Sequence, residues 1–133
     1  MLRSTLLPII LVCTLLQGCI SFNGLADARE GQGTGQIKEY TASEQDIWIY
    51  TLSVIKQSDL KLVAEDVPNG VILAQQPISP LSLTAGQNVA VFVTKQRDRT
   101  RVEVVSRKAI GKIEFVSRNW ETFILEKLNE RFI

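Results

Sequence analysis

Apolar and polar positions divide this chain into segments of two periods. β-Branched runs at Asn88–Thr94 (Asn-Val-Ala-Val-Phe-Val-Thr) and Thr100–Ser106 (Thr-Arg-Val-Glu-Val-Val-Ser) predict two strands. Lys95-Gln96-Arg97-Asp98-Arg99 joins them as an antiparallel hairpin. Leu60–Glu65 alternates, and Val71–Gln75 returns as its partner across the turn Asp66-Val67-Pro68-Asn69-Gly70. There Asn-Gly supplies the positive φ that a tight turn needs, and Pro68 sets the approach. Ile37–Thr41 predicts a short first strand. A helical period begins at Ser43, where Ser43-Glu44-Gln45-Asp46 reads as a capping box, and runs to about Gln57. Its apolar stripe is Trp48, Thr51, Leu52 and Ile55, widened by Ile47, Tyr50 and Val54, which places Trp48 in the core. A last helix, capped by Ser117 or Asn119, spaces Trp120, Phe123, Ile124 and Leu128 along one face, with Glu121 early and Lys127 and Arg131 late to match the helix dipole.

Three stretches keep neither period. Gln76–Gln87 combines Pro77, Pro80 and Gly86 with Ile78, Leu81 and Leu83, too proline-rich for a central strand and too apolar for a simple solvated loop. It reads either as a connection folded back on the core or as an exposed flap, with Ile78, Leu81 and Leu83 as candidate partner-binding residues. Arg107–Val116 carries a bend at Gly111 before Ile113-Glu114-Phe115-Val116, a candidate extra short strand. Ser21–Gln36 holds four of the eight glycines and reads as a flexible tether of roughly 20–25 Å.

The predicted order is β-α-β-β-β-β-α over residues 37–133, one α+β domain. Its antiparallel sheet of about five strands should carry two helices on one face and leave the other face solvated or free for contact. The chain has no His, which removes the commonest metal ligand and the commonest acid–base group near neutral pH. No motif sets Ser, Lys, Asp or Glu in a catalytic arrangement. We therefore expect no enzyme, no metal and no cofactor. Charge is nearly balanced overall but divided along the chain: Cys19–Thr94 holds four basic and eight acidic residues, and Lys95–Ile133 ten basic and six acidic. The balance implies no nucleic-acid partner. The basic hairpin tip, Lys95, Arg97 and Arg99, is read either as edge protection or as a candidate contact for an anionic surface.

Ahead of the domain, Arg3 precedes an apolar block from Leu6 to Leu16 that closes on Leu16-Gln17-Gly18-Cys19. A membrane-spanning helix needs roughly 20 apolar residues, so this block suits a signal h-region better than an uncleaved anchor. A Leu, a tolerated residue, a small residue and Cys at the end of such a block resembles the lipobox of bacterial lipoproteins. The resemblance implies a signal peptide over 1–18, cleavage between Gly18 and Cys19, and lipid on Cys19 as a diacylglycerol thioether and an amide-linked acyl chain. Two or more chains anchor stably where one holds only marginally. Of fifteen basic residues Arg3 then leaves with the signal, so fourteen face fourteen acidic ones. Ile20, not Asp, follows the Cys, which in that family is compatible with the outer membrane, the inner membrane being the other option. Residues 19–36 become the lipidated N-terminus and tether, and residues 37–133 a periplasmic domain.

A second resemblance rests on Tyr40-Thr41-Ala42-Ser43 with Asp46 and Trp48, on Asn69-Gly70-Val71-Ile72, on Thr100–Ser106, and on Trp120 opening the last helix. Together these are similar to the helix-grip domains of BamC-type lipoproteins, accessories of the outer-membrane β-barrel assembly machinery. The implied role is a non-enzymatic binding or scaffolding module of the cell envelope with an envelope protein as partner. The alternative is a carrier of an apolar ligand or lipid in a helix–sheet cleft lined by residues such as Trp48, Leu52, Phe92 and Trp120.

Overall fold

Ser43 and Asn119 start the two helices that the apolar spacing predicts. Ser43 is extended (φ −67°, ψ 154°) and its hydroxyl accepts from the Asp46 amide at 3.1 Å. The Asn119 side chain accepts from the Thr122 amide, also at 3.1 Å, so each cap satisfies an amide that the first helical turn leaves without a partner. The computed structural model describes residues 19–77, 86–108 and 118–133. Among them the order is α1 (Cys19–Glu30), β1 (Gln36–Tyr40), α2 (Glu44–Gln57), β2 (Lys61–Asp66), β3 (Val71–Gln75), β4 (Gln87–Gln96), β5 (Arg99–Lys108) and α3 (Trp120–Phe132). From β1 onward this is the predicted succession in an α+β fold. The candidate strand at Ile113–Val116 lies outside the described residues.

The five strands form one antiparallel sheet in the order β1-β5-β4-β3-β2. Strand register assigns every side chain to a face. Ile72, Val91 and Val104 share one row, Val93 and Val102 the next, and all five point toward α2 and α3. With Tyr40, Ile47, Ile55, Trp120, Ile124 and Leu128 they make the main core. Both predicted helices therefore pack on one face. The indole of Trp120 is fully buried, meets Phe123 edge-on at 5.5 Å, and its N–H donates to the Gln76 side chain at 3.2 Å. Burial pushes the Tyr40 hydroxyl up to about 12, and it donates to Asn129 at 2.8 Å.

Helix α2 presents a different stripe from the one predicted. Ile47, Thr51, Val54 and Ile55 are its buried residues, and Trp48 is only half-buried. At 100° per residue, a turn of one position exchanges Ile47 for Trp48 at the sheet. Ile47 is all hydrocarbon, whereas the indole N–H needs an acceptor, found here on the sheet edge. Thr51 satisfies its own buried hydroxyl by donating to the Ile47 carbonyl at 2.7 Å.

The largest departure is at residues 19–36, read above as an unstructured tether. Cys19–Glu30 is a helix, and it lies on the sheet face expected to be free. Leu25 and Ala28 pack there against Val71, Leu73, Ala90, Phe92 and Val105. Past the helix the glycines bring backbone close to the sheet. A Cβ on Gly31 would stand 2.8 Å from a Val105 methyl, and one on Gly35 would run into the Val104 carbonyl. Glu103, fully buried at the centre of this face, accepts from the amides of Gly33 (2.5 Å) and Gly35 (3.1 Å). Arg101 stands 3.4 Å from its other oxygen. Those three donors satisfy a carboxylate that burial alone would destabilise. Arg29 pairs with Asp66 at the end of β2, a further tie between this segment and the sheet.

Candidate functional site

Where α2 begins, the apolar surface is not closed. Ser43 fixes the first turn, so that Trp48 stands one turn along beside the edge strand β2, and its indole N–H donates to the Glu65 carboxylate at 3.1 Å. Ile49 next to it is 58% exposed, and Val67 in the β2–β3 turn is 66% exposed. Gly70 takes φ +65° in that turn, and its carbonyl accepts from the Val93 amide at 2.8 Å, which draws the turn onto β4. A side chain at residue 70 would meet the Val93 carbonyl, so glycine is what permits the approach. These elements enclose a largely apolar hollow of about 410 Å³, lined by Trp48, Ile49, Val67, Gly70 and Val93 with Glu44 and Gln45 at its rim.

The hollow can accept an aliphatic or aromatic side chain. Its polar side chains are the Glu44 carboxylate and the Gln45 amide at the rim, with no nucleophile beside a base. An apolar hollow of this kind beside an aromatic with one polar edge is suited to recognition rather than to chemistry. Among the described residues no group of three or more His, Cys, Asp or Glu side chains could hold a metal ion.

The residues singled out in the sequence lie elsewhere. Cys19 is the first residue of α1, and Gly18 lies outside the described residues. Ile78, Leu81 and Leu83 also lie outside them. Lys95, Arg97 and Arg99 are exposed and held together, because β4 and β5 extend to Gln96 and Arg99 and leave a turn of only Arg97 and Asp98, tighter than the five-residue link predicted. Arg97 adopts φ +48° there, a conformation that disfavours any Cβ. Val93 of the hollow and Lys95 of the tip are two residues apart on β4, so both features occupy the same end of the sheet.

The four side chains proposed to line a ligand cleft do not meet around one. Phe92 faces α1 on the opposite side of the sheet, Trp120 is sealed in the main core, and Trp48 and Leu52 are half-buried at its margin. Period-two pairing assigns Phe92 to the row of Val71 and Glu103, which the sequence alone left open because both faces of β4 are apolar. The hollow itself left one trace in the sequence. Ile49 continues the apolar run Ile47-Trp48-Ile49-Tyr50, four residues in succession, more than one helix face can bury. No model of a known protein family matches this chain and a search of curated proteins returns no match, so any reading of its function rests on its own residues.

Proposed function

We propose that this chain is a lipid-anchored protein of the bacterial cell envelope, held through acylated Cys19, whose domain binds a protein partner at the Trp48–Ile49–Val67 hollow without catalysing a reaction. The observation that carries the binding role is the exposure of Ile49 and Val67 around a half-buried Trp48, in a domain whose two sheet faces are packed against helices. Large aliphatics gathered at one exposed place mark interaction sites more often than scattered ones do. The anchor rests on the lipobox-like Leu16-Gln17-Gly18-Cys19 at the end of its apolar block. No helix among the described residues is long and apolar enough to cross a membrane. Ile20 after the Cys is compatible with the outer membrane, and the resemblance to BamC-type domains favours a partner from outer-membrane protein assembly.

Two measurements test this. Metabolic labelling with a fatty acid should mark the wild-type chain and not Cys19→Ala. A photo-crosslinking residue placed at Ile49 or Val67 in intact cells should give a discrete adduct that Trp48→Ala removes, whereas the same residue at Lys38, exposed on the opposite edge strand, should give none. Equal adducts at all three positions would show that the hollow is ordinary surface.

A further inference from the structure

We infer that α1 seats the domain directly on the bilayer surface, as a short rigid spacer. The inference rests on the reading that Cys19 carries lipid. The helix begins at Cys19 itself, and Leu25, six residues on, is already packed against the sheet. At 1.5 Å per residue that separation is about 9 Å, against roughly 12–15 Å for a coil of the same six residues and roughly 20–25 Å for a coil over the whole of Ser21–Gln36. Everything after Leu25 is tied down: Ala28 in the apolar layer, Arg29 on Asp66, Gly31 against Val105, and the Gly33 and Gly35 amides on Glu103. The helix runs without interruption from the attachment point to the residues packed on the sheet.

The start of the helix fits such an attachment. Its first turn holds no acidic residue, and cleavage before Cys19 would leave no preceding residue to cap it. An amide-linked acyl chain places a carbonyl where an N-cap acceptor belongs, and it abolishes the α-ammonium charge that would oppose the helix dipole. The lipid then anchors the chain and completes the helix at once. The surface this geometry offers is the bilayer interface around the start of α1. A domain held there reaches partners embedded in or lying on the same membrane, not structures beyond its own diameter.

The test uses the full chain purified with its lipid and reconstituted into phospholipid vesicles. Asp27 is exposed on α1, and Asp27→Cys would be the only free thiol of the mature protein. A donor there lies eight residues along the helix, about 12 Å from the attachment point. Energy transfer to acceptor-labelled lipid headgroups should be high, and it should fall when a 16-residue Gly/Ser segment, about 20–25 Å of coil, is inserted between Cys19 and Ile20. Hydrogen exchange on the same vesicles should show protected α1 amides. Equal transfer with and without the insertion, or α1 amides exchanging as in an unfolded chain while the mass shows lipid on Cys19, would overturn the inference and leave the lipoprotein reading standing. A mass without lipid would overturn both.

Discussion

Toward α2 and α3 the sheet presents Ile72, Val89, Val91, Val102 and Val104, interlocked with the fully buried side chains Ile47, Ile55, Trp120, Ile124 and Leu128. Toward α1 it presents Val71, Leu73, Ala90, Phe92 and Val105, and in the same layer the carboxylate of Glu103. The first face is held by apolar volume. On the second, Leu25 and Ala28 are what α1 contributes to the apolar cluster among the described side chains, and the segment is held further by backbone amides, glycines that admit close approach, and the Arg29–Asp66 ion pair. One sheet thus carries a layer specified by hydrophobic pattern and another specified by polar satisfaction. The second kind is satisfied only when every donor is in place.

The comparison breaks most visibly at Trp120. Trp120→Ala should destabilise the domain by roughly 3–5 kcal/mol, read as a lowered midpoint in chemical denaturation, because it opens a cavity in the main core and leaves the Gln76 side chain without its donor. An unchanged midpoint would mean that the first face is not the stabilising one. Glu103→Ala should come next, at roughly 2–3 kcal/mol, since two amides lose their acceptor inside an apolar layer. Hydrogen exchange should show α1 and residues 31–35 losing protection while α2 and α3 keep theirs, and a uniform loss would merge the two faces into one cooperative unit. Gly35→Ala should cost about 1–2 kcal/mol by forcing the loop off the Val104 carbonyl. A neutral result would return this segment to the status of a spacer.

The smallest effect sharpens the comparison by pH. The Asn69 side chain, and after it Arg29 of α1, hold the Asp66 carboxyl below the usual carboxylate range. A depressed folded-state value contributes stability above the unfolded value of about 3.9 and loses it as pH falls through the folded one. NMR titration should find Asp66 shifted upward in Asn69→Ala and, to a smaller degree, in Arg29→Ala. An unmoved titration in Arg29→Ala would mean that α1 does not reach Asp66 in solution.

How much of this could be read in advance follows the same division. Strand Val71–Gln75, the Ser43 cap, the Asn119 cap and the order of elements from β1 onward are all visible in the sequence, because each is written in local period or local hydrogen-bonding chemistry. Helix α1 is not. In Cys-Ile-Ser-Phe-Asn-Gly-Leu-Ala-Asp-Ala-Arg-Glu the apolar residues set no clear helical period, and Gly24 and Asn23 argue against a helix. The glycines that follow look like flexibility when counted and act as clearance when placed. Glu103 gave a signal that could have been used: a carboxylate in the middle of the most β-branched strand pair has to be satisfied by something, and the only amide-rich, side-chain-poor stretch in the chain is Gly31–Gly35. The hollow at Trp48 escaped for a different reason. A helix face is known from its period only to within about one residue, and that uncertainty is the difference between an indole in the core and one at its margin.

The bond between Gly33 and Glu103 also orders events in time. It closes a loop of 70 residues, whereas β4 and β5 meet across a two-residue turn and β2 and β3 across four. Closure entropy rises with loop length, and the acceptor is not in position until β5 has paired, so the earliest part of this segment to be synthesised is the last to join the fold.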